Sequence, residues 1–312
     1  MPSKKQSTPF IYKRFSAFLF SVVPLIGITV YLYGIRPLIL LLIAVVIAVL
    51  SDLLVALMRK RSYNGQDMSS IMFTVIFVLL LPATVRYSIV LCGSILTVFI
   101  KHAFGDYTGC ILHPSAFGFM ASAICWPTEI FRYPQPFTNI GLKFDESIQL
   151  FESASQTIKA GGIPGNIDKV DFLLGNHPGP IGASYSLVIL AILVFLIACK
   201  VTTWHTPFMY LLAIVVFAFC FPRLEISRLY SVLYEVLSDT LIFGAVYIAA
   251  EPVTSPVNPK AKLIYGVLLG LTAMLFGRYG IYQMGVVFAV VVINPISPYL
   301  DRKFPPKTGG TR

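Results

Sequence analysis

Apolar runs recur at roughly 15–34, 37–58, 70–82, 86–101, 115–126, 182–200, 203–221, 238–250, 261–277 and 281–299, and this pattern leaves the chain few ways to fold. A helix needs about 17–20 apolar residues to cross the hydrocarbon core of a bilayer. The runs at 70–82, 115–126 and 238–250 fall short of that. They read as half-helices, re-entrant segments or spans lengthened by polar turns. Of 312 residues, 56% are hydrophobic and 12% charged, where a soluble domain carries about 25% charged. Mean hydropathy is +0.79. The expected fold class is an all-α polytopic membrane protein of about ten transmembrane helices.

Formal net charge is +10, and most of it sits in short clusters between the apolar runs: Lys4, Lys5, Lys13 and Arg14; Arg59, Lys60 and Arg61; Lys101; Lys200; Lys260 and Lys262; Arg302, Lys303 and Lys307. No aromatic platform is interleaved with them, which excludes a nucleic-acid face and fits cytoplasmic loops. Threading the runs with the amino terminus inside puts every cluster on the cytoplasmic side. The division that follows is a cytoplasmic tail (1–14), a first five-helix repeat (15–126), an extracytoplasmic loop (127–181), a second five-helix repeat (182–301) and a cytoplasmic tail (302–312). The expected location is a bacterial-type inner (cell) membrane, crossed several times, with both termini cytoplasmic. No cleavable leader is expected ahead of Phe15–Gly34. The five cysteines form no CxxC pair, and the four histidines (His102, His113, His177, His205) lack metal-ligand spacing, so no metal site is expected.

The stretch Glu251-Pro-Val-Thr-Ser-Pro-Val-Asn-Pro-Lys260 directly follows the apolar run Leu241–Ala250. It holds three prolines, a carboxylate and a hydroxyl pair, and cannot continue a helix. Irregular backbone at membrane depth is tolerated only where protein encloses it or it lines a cavity. A related arrangement occurs earlier. Asp67 precedes Phe104-Gly-Asp-Tyr107 by the same interval that separates Asp239 from Phe276-Gly-Arg-Tyr279, and each interval holds a short apolar run ending in proline. Five spans followed by five spans invert topology, and such inverted repeats with broken half-helices place a ligand at the repeat interface.

Ionisable groups in or beside the spans are Asp52, Asp67, Lys101, Asp106, Asp239, Glu251 and Arg278. Each costs ~2.5–3.5 kcal/mol or more at the bilayer centre. One reading is an ion or proton pathway through Asp52, Asp67, Asp239 and Glu251. The other is structural: caps on half-helices, or pairs with Lys101 and Arg278. Glu251 stands out because it ends a segment, where the helix dipole disfavours an anion.

At this point the residues resemble a known family. Glu251-Pro-Val-Thr-Ser-Pro256 resembles the DPVTSP signature of the NqrB/RnfD family, membrane subunits of the sodium-pumping quinone reductase and of the Rnf electron-transport complex. Asp67-Met-Ser69 with Leu81-Pro82, Lys101-His-Ala-Phe-Gly105 with His113-Pro-Ser-Ala116, Thr203-Trp-His-Thr-Pro207, and Phe288-Ala with Asn294-Pro-Ile-Ser-Pro-Tyr-Leu-Asp301 resemble further family segments in the family's order. Together they cover about 45–301 and lie closer to RnfD. The resemblance implies a flavoprotein: an FMN phosphate esterified to an outer-loop hydroxyl by a flavin transferase, and a second, non-covalent flavin or riboflavin among the spans. The partners it implies are the other membrane and peripheral subunits of an Rnf-type complex.

The chain departs from the family at the tether motif D-x-x-S-G-A-T. Ungapped register from Lys159 puts Ser153 at the acceptor position, and a one-residue gap puts Thr157 there. The inner flavin or ion site is expected at Thr254, Ser255 and Pro256, with His113, Pro114 and Ser115 opposite. The function so implied is a flavin-binding subunit of an ion-translocating (Na⁺ or H⁺) oxidoreductase, a translocase passing electrons across the membrane. The alternative is a stand-alone channel or transporter for a small solute on a similar inverted-repeat fold.

Overall fold

Proline and glycine set the helix boundaries. A computed structural model describes residues 8–60, 62–63, 65–106, 110–142, 147–162, 169–238, 240–251 and 253–305, with side chains described from Arg14 onward. Helices α1 (Thr8–Tyr33) and α2 (Arg36–Met58) are separated by a turn at Gly34, and Pro37 sits in the first turn of α2, where its missing N–H costs nothing. Helix α3 (Ser69–Leu79) stops before Pro82, and α4 is Tyr87–Ala103. Pro114 opens α5 (Pro114–Cys125), which the short α6 (Pro127–Ile130) follows.

The outer loop carries a two-stranded antiparallel ribbon, β1 (Tyr133–Pro134) and β2 (Leu150–Phe151), in register Tyr133↔Phe151. Small helices α7 (Ala154–Lys159) and α8 (Lys169–Leu174) come next. The second half has α9 (Ser186–Ala198), α10 (His205–Cys220), α11 (Arg228–Ser238), α12 (Leu241–Phe243), α13 (Pro259–Tyr279), α14 (Gly285–Ile293) and α15 (Ser297–Lys303). The ribbon departs from the all-α expectation. It pairs two residues with two, and it lies in the loop rather than in the bundle.

Among the described residues, three helical stretches are long and apolar enough to cross a membrane: Arg14–Tyr33, Arg36–Met58 and Pro259–Tyr279. Five shorter apolar helices pack around them, and α11 meets the α12 segment (Leu241–Ala249) at a 66° bend. Most helical boundaries fall within four residues of the apolar runs, but α1 begins at Thr8, the run 281–299 is divided between α14, a 3-10 turn and α15, and the bend divides 238–250. Two pairings have matching outlines. Short α3 is followed by a break and the longer α4, and short α12 by a break and the longer α13.

Between the halves lies one core, centred on α3 (Phe73, Ile76, Phe77) and on Tyr247 and Ile248. The faces turned outward carry Leu42, Leu54, Val194, Phe208 and Val216, the composition of a lipid-facing surface. The cysteines are all free thiols: Cys110 is buried, while Cys125, Cys199 and Cys220 stand on exposed helix positions rather than in the interior.

Close helix approach depends on small residues. A Cβ on Gly266 would stand 2.7 Å from the Thr206 carbonyl oxygen, and one on Gly270 would stand 2.6 Å from that of Tyr210. Gly-xxx-Gly on α13 thus lies against α10 backbone four residues apart, where packing rather than hydrophobicity drives association in lipid. Gly270→Leu should separate α10 from α13 and destabilise by at least the ~1–3 kcal/mol of ordinary overpacking. Gly27→Leu, where nothing lies within 4 Å, should leave the detergent-solubilised melting temperature within error. Equal melting temperatures for the two variants would refute the close-packing account.

Candidate functional site

Three polar groupings are built into this bundle. The first is the break after α12. Helix α12 passes into a π-helical turn over Gly244–Ala249, and the described backbone from Ala250 to Asn258 is non-helical, Pro252 lying outside the described residues. Widened turns of this kind leave backbone groups without helical partners. Side chains take them up. Glu251, fully buried, accepts the amide N–H of Val253 at 3.0 and 3.1 Å and that of Thr254 at 2.8 Å. Asp301 accepts Val257 N–H at 2.8 Å, and Asn258 caps α13 by accepting Lys260 N–H at 2.8 Å. On the acceptor side, Thr202 donates to the Ala250 carbonyl at 2.8 Å.

His113 N-caps α5 through Nδ1, which accepts Ala116 N–H at 3.4 Å, while Nε2 donates to the Tyr247 carbonyl at 3.2 Å. Ser115 donates to the Phe73 carbonyl at 2.7 Å. Glu251 therefore does not confront the carbonyl end of a helix, as its position in sequence implies. Its carboxylate folds back onto amide N–H groups, the positive ends of the peptide dipoles. Of the residues expected here, His113, Pro114, Ser115, Thr254, Ser255 and Pro256 are all buried. His113 and Ser115 have their polar atoms engaged by backbone groups, so those two hold helices together.

The second grouping joins the ends of α2, α3 and α4. Asp52 accepts from Ser70 Oγ at 2.7 Å and lies 2.6 Å from His102 Nε2. Lys101, only 1% exposed, donates to Asp67 at 3.0 Å and to Ser70 Oγ at 2.7 Å. His102 Nδ1 is 2.6 Å from Asp106, which Arg59 reaches at 3.1 Å. Asp67 also accepts Ser69 N–H at 3.0 Å at the start of α3. Asp52 and Asp67 are thus brought together around one buried ammonium, which lies 3.7 Å from Asp52 and 3.0 Å from Asp67. Asp239 lies outside the described residues. Arg278 donates to the Phe221 carbonyl at 2.7 Å rather than to a carboxylate.

The third grouping surrounds a small cavity of ≈ 10 Å³ at the opposite end, walled by Ser153, His177, Ser184, Ser238, Thr240 and Gln283 among others. Ser153 N-caps α7, accepting Gln156 N–H at 3.3 Å, and its hydroxyl donates to Gln283 Oε1 at 2.6 Å. Tyr282, next to Gln283, stacks between Phe131 and Phe288 and so fixes that segment. Lys159 donates to the Gly280 carbonyl. Thr157, half-buried on α7, is not part of the cavity wall. Ser153 has the hydroxyl that a phosphoester needs, and in this structure that hydroxyl is engaged by Gln283 and by the Gln156 amide. The cavity has room for about one water, so any group attached at Ser153 would have to project from it. Sequence reasoning misses His177, Ser184, Thr240 and Gln283. The one signal in the sequence that points toward them is the Gly/Pro-rich context of His177.

A model of the NQR2, RnfD, RnfE family matches residues 7–310 of the chain. Curated relatives, each named as the D subunit of an ion-translocating oxidoreductase complex, are similar along nearly their whole length. The one from Actinobacillus succinogenes is 26% identical, covering 94% of this chain and 92% of the relative. The one from Methanosarcina acetivorans is 25% identical, covering 93% and 89%, and that from Cronobacter sakazakii 26%, covering 94% and 93%.

Removing the ammonium from the second grouping strands two carboxylates. Lys101→Met should destabilise by roughly 3–5 kcal/mol, the cost of breaking a buried pair from one side. Lys101→Met combined with Asp67→Asn should recover part of that loss. Thermal unfolding in one detergent reads both, and no recovery in the double variant would show that the pair is not coupled.

Proposed function

The chain belongs to the NQR2, RnfD, RnfE family, and on that premise we propose that it is the D-type membrane component of an Rnf-type ion-translocating oxidoreductase, carrying FMN as a phosphoester on Ser153. It is a multi-pass helical membrane protein, and its relatives are named as subunits of a complex. The observation that carries the reading is the family match over almost the entire chain together with the place of Ser153. Of the two hydroxyls open to the tether, Ser153 alone stands in a polar cavity wall, beside Gln283 and on an N-cap. When bound, FMN supplies one- and two-electron transfer chemistry.

The chain's own residues account for holding and charge. Ser153 anchors the phosphate, and the α7 contact between Lys159 and the Gly280 carbonyl keeps the anchor against the bundle. Ion handling falls to Glu251 and to the Asp52–Asp67–Lys101 group, with Asp239 as a further carboxylate of the pathway. The topology proposed with this function is two inverted five-helix repeats with both termini cytoplasmic, in a bacterial-type inner membrane. The matching short-helix, break, long-helix outlines of α3–α4 and α12–α13 support it.

Mass spectrometry of a proteolytic peptide spanning 147–162 should show the FMN phosphoester increment. Ser153→Ala should abolish it and Thr157→Ala should leave it. Unmodified peptide from protein coexpressed with a flavin transferase sinks the tether, and loss only in Thr157→Ala moves it. Glu251→Gln should cut ion uptake into vesicles at least tenfold while bound flavin stays unchanged. Equal loss of flavin and uptake would remove Glu251 from the ion path.

A further inference from the structure

His102 stands between two carboxylates. Its Nε2 is 2.6 Å from Asp52 Oδ1, and its Nδ1 is 2.6 Å from Asp106 Oδ1. An ionised carboxylate only accepts hydrogen bonds, and a neutral imidazole carries one N–H and one lone pair. A lone pair held that close to a carboxylate oxygen is repulsive, so each contact needs a hydrogen of its own. Asp52, His102 and Asp106 therefore hold two protons between them. That is one more than a neutral ring and two carboxylates carry.

The surroundings show what the second proton balances. The end of α2 brings Asp52 and Arg59, and the segment leading into α3 brings Asp67, with Ser70 in the first turn of that helix. Helix α4 brings Lys101 and His102, with Asp106 just past its end. Lys60 and Tyr63 stand exposed in the α2–α3 connection, and Arg61 and Tyr107 lie outside the described residues. Three carboxylates thus share one hydrogen-bonded set with two cations, Lys101 and Arg59. The set is neutral only when the ring carries its second proton. Asp106 moreover lies beyond the carbonyl end of α4, where the helix dipole disfavours an anion, and reaches back to the ring from left-handed backbone (φ 55°). A cationic ring beside Arg59 is what holds it there.

The same contacts leave little for a sodium ion. A hard cation binds through several oxygens at once. Here Asp52 Oδ1 accepts from Ser70, Asp67 accepts through both oxygens from Ser69 N–H and Lys101, and Asp106 accepts through both oxygens from Arg59. Among the described residues, no grouping of His, Cys, Asp and Glu has the arrangement of a metal site. Exposure falls along the row: the Asp106 side chain is 30% exposed, His102 15% and Asp52 10%. The two ring nitrogens therefore join an open carboxylate to an enclosed one, the arrangement of a proton shuttle.

We infer that Asp52, His102 and Asp106 form a proton-binding site, and that the ion taken up at this end of the bundle is H⁺, carried on the His102 ring. The assignment of the ion rests on the ion-handling role proposed for this group; the proton site does not. On release, one ring N–H bond breaks, its electron pair stays on nitrogen and the proton passes to water at the Asp106 side. Uptake is the reverse.

NMR of the ¹⁵N-histidine-labelled full chain in detergent reads the ring directly. The His102 signals are assigned by their absence in His102→Gln or, should that variant not fold, by the change that Asp106→Asn alone imposes. At pH 7 both His102 nitrogens should carry hydrogen. Asp106→Asn should convert the ring to the neutral form with one N–H, because an amide can donate to the vacated lone pair. A neutral ring in the unaltered chain overturns the site, and so does a doubly protonated ring that persists when Asp52→Asn and Asp106→Asn are combined. In vesicles holding the whole complex, His102→Gln should cut proton uptake at least tenfold at unchanged flavin content. Sodium uptake that falls in His102→Gln, without proton uptake in the unaltered complex, overturns the assignment of the ion. A doubly protonated ring in a complex that moves neither ion removes the translocase reading and leaves the proton site standing.

Discussion

Every backbone amide and carbonyl freed from a helix inside a bilayer has to find its partner in the protein, because lipid offers none. The break between α12 and α13 is where that constraint bears hardest on this chain. Three prolines remove donors from it, and the π-helical turn before it leaves carbonyls spare. What closes the account is a set of side chains drawn from far apart in sequence: Glu251 and Asp301 accept amides, while Thr202 and His113 donate to carbonyls. Each costs desolvation when buried and is tolerated because the alternative is an unpaired peptide group. A carboxylate fully buried at such a place is thus explained by structure before any role in transport is assigned to it.

The same partners knit the two halves together. His113 at the start of α5 reaches Tyr247 in the π-turn, and the Tyr247 hydroxyl donates to the Ser21 carbonyl of α1 at 3.1 Å. The outer loop is inserted rather than draped. Thr29 donates to the Ile181 carbonyl at 2.9 Å, and the Ile181 and Gly182 amides donate to the carbonyls of Leu81 and Leu79 at 2.9 and 2.8 Å. By plugging the outer end of the bundle, the loop encloses the cavity that no helix in the bundle could form alone. Buried Arg36 secures the neighbouring rim, its guanidinium donating to the Ala83, Val85 and Leu142 carbonyls at 3.0–3.1 Å. A planar fork of donors can span several carbonyls at once, which an ammonium cannot.

Much of the fold is legible in the sequence because apolar run length and proline position act locally. Pro37, Pro114 and Pro259 each open a helix, and the Pro-rich stretch after Ala250 interrupts one. The pairing of Lys101 with Asp67 is one of the two readings that the sequence leaves open, since both lie at run ends on one side. The 66° bend at α11–α12 is not legible, because nearly all of Arg228–Ser238 lies outside the ten apolar runs and its helix is fixed by what packs against it. The third grouping is illegible for a related reason. His177, Thr240 and Gln283 come from three separate segments, and no spacing in a linear sequence shows that the end of the outer loop and a left-handed turn at Met284 (φ 61°) meet.

Charge is divided between the two ends in a way that bears on what each end can handle. The α2–α3–α4 end holds Asp52, Asp67, Asp106, Lys101 and Arg59 in one hydrogen-bonded set, with His102 bridging two of the carboxylates. The outer cavity has hydroxyls, an amide and a neutral imidazole. Paired charges in a low-dielectric setting respond strongly to the arrival or departure of one more charge. A neutral hydroxyl lining responds weakly. The charged end is therefore suited to an ion and the neutral end to the anchor of an organic group. The buried Glu251 is not part of the cavity wall. Coupling between ion and electron carrier would accordingly have to pass along the bundle, through α3 and the π-turn that His113 holds, rather than across a shared site.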